Sequence, residues 1–147
     1  MLDTLFLVCN VAVLPAWLLL AVAPDRTVTH RAVHAAWIFV ALAAAYGVLL
    51  AVMQGPEGGG FDSLDGVATL LGTRHGALVG WIHYLVFDLF VGAWEVRDAR
   101  RNQIHHGFVV PCLVLTLMLG PLGLATYLAI RLVKTRRAAL LETPAAT

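Results

Sequence analysis

Charge is scarce in this chain of 147 residues. Asp, Glu, Lys and Arg make up 13% of it and hydrophobic residues 60%, where a soluble domain carries about 25% charged residues. The mean hydropathy is +0.82. A water-soluble fold is thereby excluded, and the expectation is one compact integral membrane protein. Lysine occurs once, at Lys134, so no amine is available within a membrane for Schiff-base chemistry. A net charge of +1 leaves no basic footprint for nucleic acid. Cysteine is limited to Cys9 and Cys112, each inside an apolar run. That pair makes neither a disulfide framework nor a zinc site. No phosphate-cradling loop, dinucleotide fingerprint or Gly-x-Ser-x-Gly elbow occurs, and Gly58, Gly59 and Gly60 have the composition of a linker. An enzyme built from these residues is expected to do cofactor-free proton chemistry on a lipophilic substrate.

What the chain has in abundance is long apolar runs. A helix that spans a bilayer needs about 20 such residues. Four stretches qualify, at residues 4–22, 33–53, 77–96 and 108–132. They predict an all-α fold, an integral membrane four-helix bundle in a single domain over residues 1–135. A polar tail, 136–147, is expected to be disordered. The first run starts at Leu2 with no basic segment before it, so it is expected to be retained as a span. Asn10 and Pro15 interrupt it, and a bend is expected at the proline. Alanines at 41, 43, 44 and 45 suit the second run to close helix packing. A Gly- and Pro-rich loop follows. Phe61, Leu64, Val67, Leu70 and Leu71 then form one stripe, as in a short interfacial helix. Pro111, Gly120, Pro121 and Gly123 interrupt the fourth run. Four spans would put both termini on one side. Arg74, Arg131, Lys134, Arg136 and Arg137 would then face Arg26, Arg31, Arg97, Arg100 and Arg101 across the membrane. That five-to-five tie leaves the orientation unread.

The third run carries the chemistry. With His83 set at zero and about 100° per residue, Tyr84 falls at about 100°, Glu95 at about 120°, Asp88 at about 140° and Trp81 at about 160°. Leu85, Val86, Leu89 and Val96 fill the opposite half. One face suits lipid. The other must meet protein or a cavity, because lipid satisfies none of those polar groups. An ionisable residue at the centre of a span costs about 2.5–3.5 kcal/mol on insertion scales, so Asp88 is a functional candidate by default. A protonated carboxyl there is suited to act as a general acid. Glu95 stands between a second catalytic carboxylate and a partner for Arg97, Arg100 or Arg101. His30, His34, His105 and His106 are expected at one boundary, where four imidazoles are the one candidate metal set. Membrane di-iron oxygenases use more histidines than the six of this chain, and no metal is assigned.

These residues also form a combination met elsewhere. Val13-Leu14-Pro15, Val22-Ala23-Pro24, Trp81-Ile82-His83, Asp88-Leu89-Phe90, Asp98, Asn102-Gln103-Ile104-His105 and Pro121-x-Gly123 together resemble the ABA4-like family, known in plants as the factor needed for neoxanthin synthesis. The resemblance runs from about residue 8 to about residue 134 and is weakest across the glycine loop. It implies a four-span, carotenoid-modifying membrane protein. The implied reaction is a redox-neutral isomerisation that opens an epoxide on a carotenoid end ring. In that family context Asp88 and His83 would be the acid–base pair, with Glu95 or Asp98 as second carboxylate or orienter. Trp81, Tyr84, Phe87 and Trp94 would wall a ring pocket, with Asn10 as a further ligand contact. A carotenoid or other isoprenoid, membrane lipid, and either a second copy or other carotenoid enzymes are the implied partners. No Ser- and Arg-rich transit segment precedes the first span. The expected location is therefore a bacterial inner membrane. The alternative to an isomerase is a non-catalytic carotenoid-binding or accessory protein.

Overall fold

The computed structural model describes residues 1–52 and 54–140, so Met53 and most of the expected tail lie outside the described residues. Among the described residues there is no strand. The helices are α1 (Leu2–Val22), α2 (Thr27–Thr29), α3 (Trp37–Val52), α4 (Leu64–Leu71), α5 (Arg74–Arg101), α6 (His106–Leu119) and α7 (Pro121–Thr135). A π-helical turn, His30–His34, joins α2 to α3. Among the described residues three stretches are long and apolar enough to cross a membrane: Leu2–Val22, Thr27–Val52 and Arg74–Arg101.

Helix α5 is the axis. It is 28 residues long and starts at Thr73, whose hydroxyl accepts from the Gly76 amide at 2.9 Å, satisfying one of the orphan donors of the first turn. Helix α1 runs parallel to it. Asp3 pairs with Arg74 at one end, the Trp17 ring lies against Gly92 midway, and Asp25 pairs with Arg100 at 2.9 Å at the other. Helix α3 runs antiparallel to α5. His34 meets Arg97 at 3.1 Å, Phe39 meets Phe90 edge-on, and Tyr46 meets His83. Leu20, Val33, Ile82, Leu89, Val109 and Leu113 are buried between these helices. Leu7, Leu14, Leu18, Val40, Val48 and Phe90 point outward. An exposed surface this apolar suits lipid rather than water. The short α4 begins at Ser63, whose side chain accepts from the Gly66 amide. Phe61, just before it, and Leu64 and Leu71 of the expected stripe are exposed, whereas Leu70 of the same stripe is buried.

Two expectations need correction. The second run is not one regular helix from residue 33. Val33 belongs to the π turn, and Ala36 adopts φ 66° before α3 begins. The larger correction concerns residues 108–132, which do not form a fourth span, so the four-helix bundle is not the architecture. Pro111 is accommodated inside α6, whereas the chain reverses at Gly120, with φ +47° and ψ −100°. Pro121 then opens α7, where its missing amide costs nothing. Helices α6 and α7 form an antiparallel hairpin: Lys134 Nζ, near the end of α7, lies 4.5 Å from the ring of Phe108, near the start of α6. The physical reason is the spacing of small residues. A Cβ on Gly123 would lie 2.1 Å from the backbone nitrogen of Thr116, so only glycine lets the helices close this tightly.

Candidate functional site

The tip of that hairpin reaches the middle of α5. Asp88, halfway along α5 and 9% exposed, sits directly beneath it, and a Cβ on Gly120 would lie 2.9 Å from Asp88 Oδ1. Asp88 Oδ2 is buried and has no hydrogen-bond partner among the described residues. Tyr84, one turn earlier, donates its hydroxyl at 3.1 Å to the carbonyl of Leu117, one of the acceptors left over where α6 stops. The same hydroxyl lies close to the Asp88 carboxyl. Trp81 stacks on Tyr84, with ring centroids 5.3 Å apart and planes at 26°. The indole Nε1 donates to Asn10 Oδ1 at 3.1 Å, and the Asn10 amide donates to the Phe6 carbonyl at 2.7 Å. The structure thus assembles Asn10, Trp81, Tyr84 and Asp88 into one continuous string from the surface of α1 to the centre of the molecule.

The other two carboxylates of α5 tie the hairpin down. Glu95 is fully buried and accepts from Thr116 Oγ1 of α6 at 3.0 Å, while its Oε2 has no partner among the described residues. Asp98 Oδ2 accepts from the Tyr127 hydroxyl at 2.6 Å and from Arg131 Nε at 2.7 Å, both on α7. Arg101 stands 3.8 Å from Asp98 Oδ1. Such a buried charge pair persists only when its remaining lone pairs and protons are also met, and Tyr127 supplies part of that here. Trp94 packs edge-on against Tyr127 and borders an apolar groove of about 290 Å³ between α5 and α7 with Phe90, Leu124 and Leu128.

His83 lies on a different side of α5 from Asp88. Its ring is 4.6 Å from that of Phe87 and 5.9 Å from that of Tyr46. With Tyr46, Leu50, Phe61, Leu70 and Val79 it lines a crevice of about 340 Å³ between α3, α4 and α5. Asp88 and His83 therefore have no common neighbour in these contacts, and the structure does not assemble them as a pair. The boundary histidines do share one end of the molecule. The rings of His30 and His34 are 5.3 Å apart, His105 Nδ1 caps α6 by accepting from the Gly107 amide, and His106 Nε2 meets the Ala21 carbonyl at 2.9 Å. Among the described residues, no three His, Cys, Asp or Glu side chains gather as a ligand set.

Sequence reasoning missed Tyr127, Arg131 and the role of Gly120. Tyr127 and Arg131 carried a usable signal, since a tyrosine and an arginine spaced i, i+4 in an apolar run share one face and ask for a common acceptor. Gly120 reads in the sequence only as an interruption of the run, and its place against Asp88 depends on which helices meet.

The chain is 28% identical over 133 residues to the Protein ABA DEFICIENT 4, chloroplastic, of Arabidopsis thaliana, an alignment covering 85% of this chain and 59% of that protein. The chain thus spans less than two thirds of that relative's length. No solved structure matches it. The family described as ABA DEFICIENT 4-like matches residues 4–127, which takes in the Asn10–Trp81–Tyr84–Asp88 string, both hairpin helices up to Tyr127 and the carboxylates of α5: the chain belongs to the ABA4-like family.

Proposed function

We propose that this protein is a membrane-embedded enzyme that rearranges an oxygenated end ring of a carotenoid or related isoprenoid without a cofactor. The observation that carries the reading is Asp88, a buried carboxyl in the middle of an apolar bundle with one oxygen unpartnered among the described residues. A group that costs this much to bury, held beside Tyr84 and a helix-hairpin tip, is suited to proton transfer. Family membership and the plant relative point to carotenoid chemistry.

A balanced cycle follows from one carboxyl. Neutral Asp88 gives its proton to an epoxide oxygen, the ring C–O bond breaks, and the cation is shared along the polyene. The Asp88 carboxylate then takes a proton from the polyene carbon next to the ring. The product has the mass of the substrate, and Asp88 ends protonated as it began. Tyr84 orients the hydroxyl as it forms, and the Trp81–Tyr84 stack holds the ring. In this reading His83 is not the partner base, because it faces α3.

A second reading has an observation in its favour. The crevice lined by His83, Tyr46 and Phe61 would hold a ring away from Asp88, as a binding or accessory protein requires. Pigment analysis separates the two. Cells making β-carotene, zeaxanthin or violaxanthin would express the wild-type chain, Asp88→Asn or His83→Gln. A new pigment of unchanged mass, lost in Asp88→Asn and retained in His83→Gln, is the expected result. Loss in His83→Gln alone would move the chemistry to the crevice. A carotenoid co-purifying with every variant, with no new pigment, would make this a binding protein.

A further inference from the structure

The two ends of the molecule differ in charge, and the α6–α7 hairpin is what makes them differ. Of the ten Lys and Arg residues, Arg74 alone lies at the end where α1 and α5 begin, beside Asp3. Arg26 and Arg31 lie at the opposite end, between α1 and α3, near Asp25, which pairs with Arg100. Arg97, Arg100 and Arg101 close α5 at that end. Arg131, Lys134, Arg136 and Arg137 return to it, because α7 folds back along α6: Arg131 reaches Asp98 on α5, and Lys134 reaches Phe108. Nine cations therefore share one end. Asp3, Glu57, Asp62 and Asp65 cluster towards the other. A straight fourth span would have carried the last four cations across and restored the five-to-five tie.

The hairpin has the dimensions and the backbone accounting of a segment that enters a bilayer and leaves by the same face. Helix α6 has 14 residues, or about 21 Å at 1.5 Å per residue, against a hydrocarbon core of about 30 Å. Irregular backbone at membrane depth survives only where protein covers it. Gly120 is buried, its amide donates to the Thr116 carbonyl at 2.9 Å, and the Leu117 carbonyl is taken by Tyr84.

We infer that the chain crosses the membrane three times, that α6–α7 is a re-entrant hairpin, and that the nine-cation end meets the anionic headgroups of the cytoplasmic face. The amino terminus and α4 then face the other side. Cationic loops stay on the cytoplasmic side during insertion, and anionic lipid there attracts them further. The inference rests on the membrane reading of the chain and not on its chemistry.

Cysteine labelling tests it. Glu57, Thr27 and Ala138 are exposed and lie, respectively, in the α3–α4 loop, at the start of α2 and after α7. None is a cation, so Glu57→Cys, Thr27→Cys and Ala138→Cys leave the basic end intact. Cys9 and Cys112 are buried, and the wild-type chain is the unlabelled control. Bacterial cells expressing each variant are treated with a membrane-impermeant maleimide, before and after the membrane is opened. Glu57→Cys should label in intact cells, and Thr27→Cys and Ala138→Cys only after opening. Ala138→Cys labelling from the same side as Glu57→Cys would overturn the hairpin and restore a fourth span. Labelling of Thr27→Cys and Ala138→Cys in intact cells, with Glu57→Cys protected, would overturn the orientation. The membrane reading is checked separately, since release of the wild-type chain by an alkaline carbonate wash would sink it.

Discussion

Asp98 shows how the carboxylates of one helix divide their work. Its Oδ2 serves Tyr127 and Arg131, and the side chains of Asp98 and Arg131 are only 5% and 4% exposed. Removing one partner leaves a buried charge uncompensated, at a cost of about 3–5 kcal/mol. Asp98→Asn and Arg131→Met should each lower the thermal midpoint in detergent, followed by circular dichroism. The double variant should recover a large part of the loss, because no lone charge stays buried. Asp88→Asn should behave oppositely. Among the described residues its carboxyl has an unpartnered oxygen and is in none of the ion pairs found, so an amide of the same shape should leave the midpoint nearly unchanged while pigment conversion is lost. A large fall in the midpoint would show that Asp88 holds the fold. Asp88 was legible in the sequence, because a carboxyl at the centre of an apolar run is conspicuous. The division of labour was not. A helical wheel places Glu95 and Asp88 within about 20° of each other, yet Glu95 meets Thr116 and Asp88 meets the Gly120 turn, a difference set by which neighbour stands at each depth.

Among the elements, α1, α3 and α5 were readable from run length alone, and α4 from its stripe. The α6–α7 hairpin was not. An apolar run of 25 residues looks the same whether it continues or folds back, and Gly120, Pro121 and Gly123 read equally well as a kink. What decides is contact: Gly123 against Thr116, and α7 against Asp98. Gly123→Ala therefore tests the element as a whole. Its methyl would have to push α7 off α6, and such overpacking costs about 1–3 kcal/mol. The expected result is a lower thermal midpoint with helix content retained, and an unchanged midpoint would mean that Gly123 does not seat against Thr116. Helix α4 has its own test. Leu64 is 84% exposed and Phe61 83%, which suits the interface of a bilayer. Leu64→Trp in reconstituted vesicles should be quenched by lipids brominated near the headgroup more than by lipids brominated near the chain end. Equal quenching by both would place α4 elsewhere.

For the molecule as a whole, the half-depth hairpin has a mechanical consequence. In the half of the bilayer next to the basic end, five helices stand side by side: α1, α3, α5, α6 and α7. In the other half α1, α3 and α5 continue, and the short α4 packs beside α3 and α5 at their ends. The protein is therefore a wedge, wider at its basic end. Lipid tails must fill the missing volume above the Gly120 turn, where Met118, Leu119 and Leu122 are exposed to receive them. A wedge of this sense relieves packing stress where the leaflet on its wide side is stretched. Mixed with preformed vesicles of decreasing diameter, the protein should favour the smallest ones, with its basic end on their convex surface.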